Sequence, residues 1–156
     1  MLNQNEIAPS FQSVNQKNQL INSTDYLGKK NIVLYFYPKD DTPGCTIEAN
    51  DFTALADEFS SLETVVIGVS KDSCQSHQAF IDKFSLNLEL LADTSGAVCE
   101  AYQVWQEVEK EGVKKMKIVR STFVIDKKGQ LATALYAVSP DSHAQKILEI
   151  VKSLAR

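Results

Sequence analysis

Cysteine, threonine and glycine share one short stretch of this chain whose spacing invites chemistry. Cys45 lies in the run Pro38-Lys39-Asp40-Asp41-Thr42-Pro43-Gly44-Cys45, directly after an apolar stretch. Asp40 to Gly44 is turn chemistry, and Pro43 suits a first helical position because its missing N–H would have had no intrahelical partner. A helix should therefore open at Pro43 with Cys45 in its first turn. Unpaired N–H groups and the positive dipole end favour an anion there, which for cysteine means thiolate, although a lone helical cysteine is more often a packing residue. Thr42 stands at the mouth of that helix, where its hydroxyl can donate to an oxygen or cap the backbone. Gly44 lets a substrate approach the main chain. A guanidinium such as that of Arg120, permanently charged and with a forked set of donors, would help hold a thiolate, and Glu48, one turn after Cys45, could orient it.

Other residues bear on which chemistry this is. His77 and His143 fall near predicted helix starts in polar surroundings and read as structural or exposed, since metal ligation would need partners the chain does not offer; no metal or other cofactor is expected. A cysteine hydrolase pairing Cys45 with either histidine lacks any local pattern that holds an imidazole near the sulfur. The absence of Cys-x-x-Cys excludes a dithiol oxidoreductase of that type. The three cysteines have neither zinc-ligand spacing nor the density of a disulfide scaffold, which fits a reduced, cytoplasmic setting.

The elements that must position these residues follow from periodicity. Val33 to Tyr37, flanked by Ile32, reads as a strand buried on both faces. A long helix should run from Pro43 to about Ser61, and Thr64 to Ser70 forms a second buried strand, giving the strand, helix, strand unit of a right-handed parallel crossover. Asp72 or Ser73 caps a helix with Cys74, His77, Ile81 and Phe84 on one face and Phe80 beside them. Leu86 to Leu91 is extended, and Gly96 to Trp105 is helical with Val98, Ala101, Tyr102 and Trp105 facing inward. Gln106 to Lys117 reads as an exposed hairpin or loop, Ser121–Asp126 and Gln130–Val138 as an antiparallel hairpin, and a last helix opens at Ser139-Pro140-Asp141. The first 28 residues look like a cap or edge hairpin.

At 156 residues, 44% hydrophobic and 23% charged, the chain suits one domain spanning residues 1–156. A net charge of −4 with interleaved signs speaks against a nucleic-acid surface. No basic leader followed by an apolar core opens the chain, and no segment approaches a membrane span. The fold class is α/β, a mixed sheet flanked by helices in a thioredoxin-like layout with an added N-terminal hairpin.

The motif YFYPKDDTPGCTIE, followed by VIGVSKDS and RSTFVIDKKG, resembles the peroxiredoxins, specifically the bacterioferritin-comigratory-protein (PrxQ) subfamily, over about Ile7 to Leu154. The resemblance implies thiol-dependent reduction of hydrogen peroxide and organic hydroperoxides. By matching, Cys45 is the peroxidatic cysteine, Thr42 and Arg120 its polar partners, and Pro38 the shield of the pocket. It also implies thioredoxin or a similar thiol as reductant, and a monomer. Many members carry a resolving cysteine five residues after the peroxidatic one, where this chain has Asn50, and others in the next helix at a position matching Ile81. Here Cys74, seven residues earlier, is a candidate resolving cysteine, with the alternative that it merely packs; Cys99 reads as core or half-buried, and if neither resolves the sulfenic acid the cycle is of the one-cysteine type. A thioredoxin-like binding or chaperone module with an inert cysteine is the competing non-enzymatic reading.

Overall fold

A computed structural model describes residues 1–154. Nine strands and five helices follow in the order β1 (Gln12–Val14), β2 (Leu20–Asn22), β3 (Asn31–Phe36), α1 (Pro43–Ala54), α2 (Ala56–Ser61), β4 (Thr64–Ser70), α3 (Cys74–Phe84), β5 (Glu89–Ala92), α4 (Ala97–Ala101), β6 (Trp105–Lys110), β7 (Val113–Ile118), β8 (Ser121–Ile125), β9 (Leu131–Leu135) and α5 (His143–Leu154). The central sheet has the order β5-β4-β3-β8-β9, with β3, β4 and β5 parallel and β8 and β9 antiparallel to their neighbours. The β1–β2 pair is the N-terminal hairpin, and β6–β7 forms the separate exposed hairpin. This is a mixed α/β architecture with β3 at its centre.

All six residues of β3 are buried, as a strand covered on both faces requires. Their alternation sorts the interior in two. Ile32, Leu34 and Phe36 join Ile67, Val69, Tyr102 and Phe123 on one side, whereas Val33, Tyr35 and Tyr37 join Cys45, Phe52, Phe80, Ile147 and Leu148 on the other. Cys45 therefore sits in the layer built by α1, α3 and α5, at the end of the sheet where the chain leaves β3.

Several boundaries depart from the pattern read in the sequence. The helix after Pro43 is two helices, since Leu55 takes φ −100° and ψ 7° and divides its N–H between the carbonyls of Asp51 and Phe52. Phe52 and Phe59 still reach one core, with centroids 5.9 Å apart. α4 stops at Ala101: Gln103 adopts φ +58°, its N–H donates to Glu100 O, and the Val104 N–H donates to Cys99 O, the paired bonds of a Schellman termination. That end swings Trp105 into β6, leaves Ala101 exposed, and makes Val98, Cys99, Tyr102 and Val104 the buried set. β5 begins at Glu89, three residues later than its apolar run, and α5 begins at His143 after a turn through Ser142 at φ +56°.

Gly68 in β4 is fixed by packing. A Cβ there would fall 2.8 Å from Leu90 Cδ2, 2.8 Å from Tyr35 Cζ and 2.9 Å from Tyr35 Oη. Gly68→Ala should therefore displace the Tyr35 ring and destabilise the protein by roughly 1–3 kcal/mol, the usual range for overpacking, as read by urea unfolding.

Candidate active site

The connection from β3 to α1 builds the site. Thr42 occupies the N-cap position of α1, but its hydroxyl donates to Lys39 O at 2.9 Å and makes no cap bond. The first N–H groups of α1, those of Gly44 and Cys45 among them, thus receive no cap from the Thr42 side chain. Cys45 is buried, and Pro38 is half-buried beside the turn.

Arg120 arrives from the far side, one residue before β8. Its carbonyl accepts from the Val138 N–H at 3.0 Å, which fixes the backbone at the sheet edge. The guanidinium is divided: Nη1 donates to Glu48 Oε1 at 2.6 Å and Nη2 to Cys45 Sγ at 3.4 Å. Gly44 makes that possible, because a Cβ there would lie 3.1 Å from Arg120 Nη2 and 3.5 Å from Pro140 Cγ. Its bare backbone thus gives room to the guanidinium, a role distinct from the substrate access read in the sequence. Burial alone would lower the Arg120 pKa, yet the Glu48 and Cys45 charges outweigh it and raise it.

Glu48 is fully buried, and its Oε2 has no hydrogen-bond partner among the described residues. Burial pushes its carboxyl up to about 7, against the pull of Arg120 in the other direction. The Tyr35 hydroxyl is also buried without a partner, and burial, then Glu48 and Cys45, hold its pKa well above the ordinary tyrosine value. Tyr35 stacks on Phe52 with centroids 4.7 Å apart, so the anionic end of the site rests on an aromatic floor.

Both histidines are buried, contrary to the polar placement read in the sequence, because each finds partners inside. His77 Nδ1 meets Asp40 Oδ2 at 2.8 Å and its Nε2 meets Leu91 O at 2.8 Å. His143 Nε2 pairs with Thr122 Oγ1 at 2.7 Å; burial, with the charges of Lys146 and Arg120, brings its pKa down to about 4. With both imidazoles engaged elsewhere and Arg120 as the partner of Cys45, the cysteine hydrolase arrangement is not assembled.

Of the residues singled out in the sequence, Thr42, Gly44, Cys45, Glu48 and Arg120 come together. Cys74 is the first residue of α3, half-buried, with Sγ 3.9 Å from Asn18 Oδ1. Cys99 is fully buried in the opposite core, where burial and the neighbouring Asp93 drive its pKa far up. Asp40, Tyr35 and Thr122 were not singled out in the sequence as site residues, and His77 was read there only as structural or exposed. Asp40 reads as an ordinary turn residue, and nothing local distinguishes a buried tyrosine or histidine that acts in a site from one that packs.

Comparison with known proteins gives this arrangement its context. A family model described as the AhpC/TSA family matches residues 5–134. The chain is 46% identical over 144 residues to the putative peroxiredoxin bcp of Helicobacter pylori, covering 92% of this chain and 94% of that one. This chain is a peroxiredoxin of the AhpC/TSA family. Peroxiredoxin Bcp of Bacillus subtilis is 40% identical over 148 residues, with 95% and 94% covered. The solved structure of the Xanthomonas campestris bacterioferritin comigratory protein, a study of alkyl peroxide reduction, superposes with a TM-score of 0.89 at 34% identity, over 94% of this chain and 92% of that one. The fold is accordingly the thioredoxin-like fold of peroxiredoxins and the enzyme a thiol-dependent peroxidase, which sets aside the inert binding module.

The raised carboxyl of Glu48 has a thermodynamic signature in this peroxiredoxin. Its folded value, about 7, lies above its ordinary 4.5, so the folded state holds an extra proton between those values. The associated stability is fully present below about pH 4.5 and is lost as pH rises through 7. Glu48→Gln should reduce the stability difference between pH 5 and pH 8 by on the order of 2–3 kcal/mol, measured by urea unfolding at both pH values.

Proposed function

We propose that Cys45 is the peroxidatic cysteine of this peroxidase and that Thr42, Arg120 and the first N–H groups of α1 align the peroxide. The observation that carries this reading is the Arg120 guanidinium shared between Cys45 Sγ at 3.4 Å and Glu48 Oε1 at 2.6 Å. The thiolate attacks one peroxide oxygen, an S–O bond forms as the O–O bond breaks, and the departing oxygen leaves as alcohol or water after taking a proton. Charge shifts from sulfur to that oxygen in the transition state, and donors fixed in place beforehand favour the shift without reorganising. Pro38 shields the sulfur side of the turn from bulk water. Cys45 ends as a sulfenic acid.

The substrate class is hydrogen peroxide and organic hydroperoxides; reduction of alkyl peroxides by the Xanthomonas campestris relative supports the second. A thiol then attacks the sulfenic sulfur, expelling water and forming a disulfide, which an external dithiol such as thioredoxin reduces. Cys74 is better placed than Cys99 to be that thiol, since it is half-exposed at a helix start while Cys99 is sealed in the other core. We read the protein as one domain, acting as a cytoplasmic monomer. No helix among the described residues is long and apolar enough to cross a membrane.

Cys45→Ser should abolish peroxide consumption while Cys99→Ser leaves the second-order oxidation rate within about twofold; equal losses would assign the chemistry elsewhere. Arg120→Lys keeps the charge but not the fork, and should slow oxidation by about tenfold or more in stopped-flow measurements. Peptide mapping after one equivalent of peroxide should give a Cys45–Cys74 linked peptide; dimedone-labelled Cys45 with free Cys74 would establish a one-cysteine cycle instead.

A further inference from the structure

The turn that carries Pro38 and Thr42 is held from outside the site by a buried polar joint. Asp40 is its centre. Asp40 Oδ1 accepts from the Tyr37 hydroxyl at 2.7 Å, and Oδ2 accepts from Ser76 Oγ at 2.7 Å and from His77 Nδ1 at 2.8 Å. The Asp40 backbone N–H donates to Asp72 Oδ2 at 2.8 Å, and that oxygen also accepts from Ser70 Oγ at 2.7 Å. His77 is fully buried, and each ring nitrogen faces an acceptor, the Asp40 carboxylate on one side and Leu91 O on the other. The ring thus bridges the Asp40 carboxyl to the Leu91 carbonyl, and the buried polar atoms of the pair are all engaged. Burial works to raise the Asp40 carboxyl, but the bond and charge of His77, then Tyr37 and Ser76, outweigh it and hold the carboxyl below its ordinary value. Asp40, Asp72 and His77 have the composition of a metal site. The atoms a cation would take are instead spent on one another and on Ser76 Oγ and Ser70 Oγ.

The consequence lies in what the joint connects. Ser76 and His77 belong to the first turn of α3, whereas Asp40 lies two residues before Thr42 and five before Cys45. The next residue, Asp41, holds a left-handed φ of +57°, a region that aspartate enters more readily than most residue types. It too is tied to α3, by Lys83 Nζ donating to Asp41 Oδ2 at 2.7 Å.

We propose that His77 is a positioning residue for peroxide reduction, acting through Asp40 to hold the Pro38–Thr42 turn in the geometry that aligns the peroxide with Cys45. The inference rests on the assignment of Cys45 as peroxidatic. His77 touches neither sulfur nor substrate; it fixes the base of the turn, and the turn presents the Thr42 hydroxyl.

Two substitutions separate this role from general support of the core. The amide nitrogen of asparagine takes nearly the place of imidazole Nδ1 and that of glutamine the place of Nε2. His77→Asn thus keeps the bond to Asp40 and loses the one to Leu91 O, and His77→Gln does the reverse. Each removes the imidazole ring and one buried hydrogen bond, so a purely structural role affects both alike. His77→Asn should slow the second-order reaction with hydrogen peroxide by about threefold and His77→Gln by about tenfold or more, because a small misplacement of aligning groups is amplified in rate. Alkylation of Cys45 by iodoacetamide at the same pH needs the thiolate but not the aligned turn, and should stay within about twofold of wild type in both. Equal peroxide rates in the two variants, or alkylation falling in step with peroxide reduction, would overturn the proposal. Should His77→Gln fail to fold in thermal melts, Ser76→Ala removes the other bond from α3 to Asp40 Oδ2. It should lower the peroxide rate by about threefold with alkylation unchanged, and an unchanged peroxide rate would overturn the proposal. Failure of the underlying assignment is distinguishable, since wild type itself would then not consume peroxide through Cys45.

Discussion

One guanidinium must serve two partners, a carboxyl and a sulfur, in a place that water barely reaches. The Arg120 side chain is 14% exposed and the Glu48 side chain 0%, so neither charge could be kept there alone. Removing one member of such a pair strands the other, at a cost of about 3–5 kcal/mol in comparable buried pairs. Much of the surrounding architecture follows from keeping both. Gly44 gives up its side chain to the guanidinium, the Val138 N–H pins the Arg120 backbone, and Glu48 is set one turn beyond Cys45 so that a single fork spans both.

Packing fixes where that fork can point. β3 runs through the middle of the sheet with parallel β4 on one side and antiparallel β8 on the other, so the chain leaves β3 beside the residue that precedes β8. Phe36 and Ser121 are register partners, which brings Arg120 to the end of β3 that launches α1. A shift of one residue in that register would carry the guanidinium to the opposite face of the sheet, away from Cys45.

The central strand, the helix opening at Pro43, the parallel crossover and the C-terminal helix were legible because each rests on local periodicity or on a strong punctuating residue. The site was legible as far as its chemistry is local: Thr42, Gly44 and Cys45 share one turn, and Glu48 lies on the same helix. What escaped depends on long-range partners. The early end of α4 follows from Gln103 in a left-handed conformation, a residue type with no special bias toward it. The break at Leu55 has neither glycine nor proline to announce it. His77 and His143 were placed among polar neighbours because the residues beside them in sequence are polar, whereas their partners Asp40, Leu91 and Thr122 lie 14 to 37 residues away.

The burial of those histidines also shapes what the protein shows to its surroundings. The chain has two, and both are enclosed, at 0% and 4% exposure. Imidazole is the side chain by which a protein surface most readily captures stray copper or iron. Such metals, in contact with peroxide, cleave it one electron at a time and release radicals that scar the nearest polypeptide. This surface offers them no imidazole, so a molecule whose work is to meet peroxide does not collect, at those side chains, the catalysts of its own damage.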